Sequence, residues 1–248
     1  MATAIQQRGK AAGFSLIEIL IAIGILGVCL PMAAALFATA IKENEGSYEN
    51  SMGSLICDNG LAIIKTKLKA SDIPSTPVAP PFFTPLSVGA TDSMYASTKD
   101  KGFLAMGLQI TPNDNDYGII VISYTKKGDD TDIVTLQHIS TAKIDAYVGS
   151  TTSYKGYSTL SVDPADQKYL QVGSPVVLDY VAGNQPGLTA TIIRIEGTTA
   201  VLDHKFVEGT GTGHVWVVYE GTPDLPNPPK PIGLESPALS IISVRTSL

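Results

Sequence analysis

The stretch Gly13-Phe14-Ser15-Leu16-Ile17-Glu18-Ile19-Leu20-Ile21-Ala22-Ile23-Gly24 opens a nearly unbroken apolar run that lasts to Ile41. One carboxylate, Glu18, stands near its start. A charged side chain inside a segment of this kind costs at least about 2.5 kcal/mol in lipid, so it requires a partner or a functional reason. From Phe14 to Ile41 the run exceeds the roughly 20 residues that a helix needs to cross a hydrocarbon core. Arg8 and Lys10 precede it with no acidic residue between Met1 and Gly13, a bias that keeps the N-terminus cytoplasmic and sends the rest across. A secretory signal peptide also has a basic start and an apolar run. Here the run is too long, and the best small-residue site precedes it rather than follows it.

A short basic leader, a glycine, a phenylalanine and then Ser-Leu-Ile-Glu opening a hydrophobic helix together resemble the prepilin family, the precursors of type IV pilins and type II secretion pseudopilins. The resemblance covers about the first quarter of the chain. It implies that a membrane prepilin peptidase cuts between Gly13 and Phe14 and N-methylates Phe14. It implies further that the product joins other pilin or pseudopilin subunits through the apolar helix, with Glu18 pairing to the N-terminal amine of a neighbour and so setting axial register. The physics of Glu18 agrees. Cleavage would create an α-amino group on Phe14 that is positive near neutral pH, and buried opposite charges are tolerable mainly as pairs. The four-residue offset also puts Phe14 and Glu18 on one helix face, so pairing within one chain is a second arrangement.

The helix is expected to continue past the apolar part. Lys42, Glu43, Asn44 and Glu45 introduce a mixed pattern in which Ile56, Ile63, Ile64 and Leu68 form a stripe suited to packing on a globular domain, and Pro74 and Pro77 close it. A helix from Phe14 to Ala70 would be roughly 85 Å long. Pro31 cannot donate to the carbonyl of Gly27, which favours a kink. The resemblance marks Gly27 to Pro31 as the stretch that loses helicity on assembly, and an ordinary kinked membrane helix is the other reading. Gly46, Gly53 and Gly60 recur every seven residues, a strip where another backbone can come close, although glycine is abundant enough for chance spacing. Cys29 and Cys57 would lie roughly 42 Å apart on such a helix, far beyond the roughly 7 Å that a disulfide spans. Both read as small packing residues.

From Ser71 the composition changes to a proline-rich connector, with Phe82 and Phe83 expected to cover a core. Tyr117 to Thr125 and Asp132 to Ile139 read as a β-hairpin across Lys126-Lys127-Gly128-Asp129-Asp130-Thr131. Leu170 to Val172, Pro175 to Tyr180, Leu188 to Glu196, Ala200 to Leu202 and His214 to Tyr219 read as short strands with close turns at Gly183-Asn184 and Glu196-Gly197, the pattern of a small barrel or a curled sheet. The prolines between Gly221 and Pro237 exclude a central strand there, and Ala238 to Val244 reads as a returning edge strand. The expected fold class is therefore α+β. A leader (1–13) and a long helix (14–70, with 14–41 apolar and 42–70 amphipathic) precede a connector (71–86), a β-sheet region (87–150), a second β-rich, barrel-like region (151–221) and a proline-rich C-terminal segment (222–248).

Nothing in the β-rich part reads as an enzyme or a cofactor site. His138, His204 and His214 lack metal-ligand spacing, and Asp203 and His204, adjacent on a strand, would point to opposite faces. No nucleophile elbow or phosphate loop occurs. Asn113-Asp114-Asn115-Asp116 and Asp129-Asp130-Thr131-Asp132 are oxygen-rich as calcium ligands must be, but fit solvated turns better. With a formal charge of −6 and only 16% charged residues, the chain lacks the basic footprint of nucleic-acid binding. The expected role is a structural filament subunit of a minor or specialised kind, made as an inner-membrane precursor and ending in an extracellular or periplasmic filament. The alternative is a monomeric, membrane-tethered binding module or adhesin.

Overall fold

In a computed structural model, the structure describes residues 15–73, 80–86, 101–110, 116–126, 133–146, 157–181, 186–203, 211–221 and 236–247. Gly13, Phe14, His204, Gly183-Asn184 and the acidic run Asp129 to Asp132 lie outside these residues. The chain falls into two units, Met1–Tyr48 and Glu49–Leu248. One helix, α1 (Leu16–Lys67, 52 residues), runs through both and continues past Gly27 and Pro31. Its termini carry the charges that suit the helix dipole, Glu18 in the first turn and Lys65 and Lys67 in the last.

Within the first unit the helix packs on none of the described residues. Leu16, Ile17, Leu20, Ile23, Leu30, Leu36 and Phe37 are all more than half exposed. Its length and composition suit a membrane span, and none of its most apolar window is buried.

In the second unit the last five turns of α1 lie on an antiparallel sheet of β1 (Thr84–Pro85), β2 (Lys101–Gln109), β3 (Tyr117–Thr125) and β10 (Ala238–Thr246), in the order β1-β2-β3-β10. β10 is an edge strand, as its position after the proline-rich run led one to expect. The sheet is apolar on both faces because β3 (Tyr-Gly-Ile-Ile-Val-Ile-Ser-Tyr-Thr) is apolar at both parities. Tyr117, Ile119 and Val121 pack with Cys57 and Ile64 of the helix, and the intervening Ile120 and Ile122 pack the other way, with Val177, Trp216 and Val218.

Those last three residues belong to the outer wall of a closed barrel. It comprises β4 (Ile133–Ala146), β5 (Ser158–Ser161), β6 (Pro175–Val181), β7 (Thr189–Glu196), β8 (Thr199–Leu202) and β9 (Gly211–Gly221), in the order β4-β5-β8-β7-β6-β9. Alternation along each strand fills the inside. Val176 and Leu178 of β6 and Val215 and Val217 of β9 point inward with Ile144, Leu160 and Ile192, while the residues between them face the sheet. Register shifts at Ile139/Ala142, Leu178/Tyr180 and Ile192/Arg194 bend the strands into closure. Gly197 sits at φ +61° in the turn joining β7 to β8, a conformation that glycine adopts without strain.

The expected hairpin between β3 and β4 does not form. β3 pairs with β2 on one side and β10 on the other, and β4 opens the barrel by pairing with β5 and β9. The physical reason is burial: both faces of β3 are apolar, so it takes the centre of a sheet covered on both sides, and both of its edges go to other strands. β2 was not legible beforehand, because Gly102 and Gly107 interrupt its pattern. Those glycines admit Tyr124 and Leu86, whose atoms come within 3.0 Å of where a Cβ would stand.

The heptad glycines divide in the same way as the helix. A Cβ on Gly53 would stand 2.8 Å from Leu239 Cβ, and one on Gly60 would stand 2.9 Å from the Phe103 ring, whereas Gly46 has open space around it. Gly53 and Gly60 thus let the helix seat closely on the sheet. Ile56 and Ile64 are fully buried, as the expected stripe requires, and Ile63 is only half-buried. Cys57 is a buried packing residue whose Sγ lies 3.6 Å from the carbonyls of Val121 and Ser240. Burial pushes its thiol pKa up, so it stays protonated and inert.

Candidate functional site

The start of α1 is built as a reciprocal cap. Ser15, immediately before the first helical residue, accepts through Oγ the backbone N–H of Glu18 at 3.3 Å. Glu18 in turn accepts through Oε2 the backbone N–H of Ser15 at 2.9 Å. This is the Ser-x-x-Glu capping box, in which each side chain accepts the other residue's amide, and the Glu18 N–H is shared with the Ser15 carbonyl at 3.1 Å. The carboxylate is exposed and keeps acceptor capacity beyond this single N–H, since an ionised carboxylate offers about four lone-pair sites. Glu18 is therefore both held in place and able to take a further donor. The role of Ser15 was missed in reading the sequence, although the signal was there: a Ser three residues ahead of a Glu at the mouth of an apolar run.

Downstream of the cap every large apolar side chain to Ile41 faces outward, and Cys29 among them is exposed as a free thiol. Gly27 and Pro31 lie within continuous helix, and a side chain at Gly24 or Gly27 would meet nothing within 4 Å. Such a surface is compatible with lipid or with the apolar helices of neighbouring chains, since packing among helices in lipid relies on close van der Waals fit. The Prokaryotic N-terminal methylation motif matches residues 8–30. The chain carries a type IV pilin-like N-terminus. This methylation motif contains the capping box and about the first half of the exposed apolar stretch, and it points to a structural protein rather than an enzyme. Together with the apolar helix it supports a membrane-anchored precursor. No curated protein and no solved structure matches the chain.

The β unit offers a different arrangement. His138 of β4 lies opposite Trp216 of β9 in the barrel register, and Trp216 lies opposite Val177 of β6. Their outward side chains gather with His214 and Asp179. The rings of His138 and His214 stack with centroids 5.3 Å apart, and His138 lies 4.7 Å from the Trp216 ring. Asp179, fully buried, accepts the backbone N–H of Phe82 at 3.0 Å, that of Phe83 at 2.7 Å and the Trp216 indole N–H at 3.3 Å. Phe83 is buried between sheet and barrel with Phe82 packed beside it, so these aromatics cover a core as expected. No linear spacing could reveal this group, because the strands that carry it become neighbours only when the barrel closes. Among the described residues no set of three His, Cys, Asp or Glu side chains is arranged to hold a metal ion.

Two other sequence candidates find ordinary partners. Asp203 accepts the backbone N–H of Thr191 at 3.0 Å. Asp116, the last residue of one acidic run, receives a two-pronged contact from Arg245 of β10, with Nε at 2.8 and 2.9 Å from its two carboxylate oxygens. The guanidinium holds the Asp116 carboxyl below its ordinary pKa. That carboxylate therefore ties down the last strand.

Proposed function

We propose that this chain is the precursor of a structural subunit of a type IV pilus-like or type II secretion filament. A prepilin peptidase cuts it after Gly13 and N-methylates Phe14. Before assembly it sits in the inner membrane with its N-terminus cytoplasmic, and afterwards its apolar half-helix packs among other pilin or pseudopilin subunits with the β unit displayed on an extracellular or periplasmic filament. Glu18 meets the new N-terminal amine of a neighbour. The observation that carries this reading is the methylation motif at the head of a helix whose apolar half is entirely outward-facing. A lone carboxylate there is costly in lipid and becomes favourable when a cation enters the same low-dielectric site. The stretch from Gly27 to Pro31 is the place where the helix gives way on assembly, since Pro31 already removes one backbone hydrogen bond.

The size of the β unit, with a barrel that a helical rod does not need, supports a minor or specialised subunit. N-terminal sequencing and intact mass of the membrane-extracted protein should show a methylated Phe14. A retained leader would overturn the proposal and leave a tethered monomer in its place. Immunogold labelling of purified filaments separates the subunit classes: decoration confined to tips or sparse points is expected, and continuous decoration would make it a major subunit.

A further inference from the structure

The connector between helix and sheet, residues 80–86, is held to the barrel by one buried carboxylate. Asp179 sits at the bulge in β6 where register shifts between Leu178 and Tyr180, and it takes both the Phe82 and Phe83 amides. His138 reaches toward the same carboxylate, with Nε2 3.8 Å from Asp179 Oδ2. That nitrogen is buried and makes no hydrogen bond among the described residues. The second imidazole, His214, stacks on the first.

We propose that this cluster is an acid-operated release for the connector: a proton on His214, whose ring stacks on His138 beside the seat that Asp179 provides, forces the seat apart. A charge on His214 stands against the His138 ring, whose centroid is 5.3 Å away, at the partly exposed edge of the seat whose carboxylate, Asp179, is fully buried. The titratable groups that face one another here are His138 from β4, Asp179 from β6 and His214 from β9, and the described connector, Pro80 to Leu86, contributes none. His214 is drawn below the ordinary histidine pKa, first by burial and then by His138, with Asp179 opposing. A histidine whose folded pKa is lowered binds its proton more readily in the unfolded or opened chain. Stability is therefore full above the ordinary histidine pKa and lost as pH falls from there through the folded value.

Hydrogen exchange of the full chain in detergent micelles, read by mass spectrometry near pH 7 and about pH 5 and corrected for intrinsic exchange, tests this. The peptide holding the Phe82 and Phe83 amides should lose protection by about tenfold or more on acidification, while a peptide from Ile119 to Ile122 keeps its own. His214→Gln should reduce that loss to less than about threefold. His138→Gln, which removes the ring on which His214 stacks, should do the same and serves if the first variant folds poorly. Unchanged protection of the connector in the parent chain, or the same acid loss in both variants, would overturn the proposal.

Discussion

The two halves of α1 are one continuous helix with opposite fates. Up to Tyr48 its apolar side chains face outward and its glycines stand in open space. From Glu49 on, one face of the helix is buried through Ile56, Cys57 and Ile64 while Leu55 stays exposed, and Gly53 and Gly60 are pressed against the sheet. Hydrophobicity alone therefore does not say what a residue in this helix contributes. The first half stores its apolar area for an environment outside the chain, and the second half spends it on the fold, where burying an Ile side chain stabilises by roughly 1.5–3 kcal/mol.

Substitutions that affect one half and spare the other sharpen this contrast. The largest effect is expected at Glu18: Glu18→Gln should lower filament incorporation by about tenfold or more, given the energy of an unmatched charge in lipid, with the melting temperature of the β unit unchanged. Normal incorporation of that variant would remove Glu18 from the assembly role. Ile64→Ala should do the reverse. It is expected to cost about 2–5 kcal/mol of stability in the second unit, read from urea unfolding, while cleavage after Gly13 proceeds at the parent rate.

The heptad glycines give a finer comparison. Gly53→Ala should destabilise by about 1–3 kcal/mol, because Leu239 Cβ and Ser240 Cβ are fixed directly to the backbone of β10 and cannot swing away. Gly46→Ala, with open space around it, should leave the β unit unaffected and gain up to about 1 kcal/mol of helix propensity. Equal melting temperatures for the two variants would dissolve the distinction between the halves. The smallest effect belongs to Asp116→Asn, since the Arg245 pair is exposed and screened by solvent. Its signature is the pH dependence. The Asp116 pKa is lowered in the fold, so its contribution is present above the ordinary aspartate pKa and lost as pH falls through the folded value. In acid unfolding curves, the variant and the parent should converge below that range.

Much of the helix could be read from local pattern. Glu18 in an apolar run, the basic residues before it and the stripe containing Ile56 and Ile64 each declare themselves within a few turns. The strands β6 to β9 were legible for the same reason, through runs such as Pro175 to Tyr180 and His214 to Tyr219 bounded by turn residues. Pairing was not. Tyr117 to Thr125 and Asp132 to Ile139 look like neighbours in the chain, yet the two apolar faces of β3 require partners on both edges and cover on both sides. That demand can be met only by segments far away, β2 and β10 at its edges and the helix and the barrel wall on its faces.

The same limit separates the two sites. The N-terminal site is a local object, a capping box and an apolar run within some thirty residues, and the sequence by itself determined it because its hydrogen bonds and its helical period are set by near neighbours. The cluster of Asp179, His138 and His214 was decided only by tertiary structure. Barrel closure makes β4, β9 and β6 adjacent, a bulge turns a buried aspartate toward the connector, and three titratable groups with no common spacing come to share one wall.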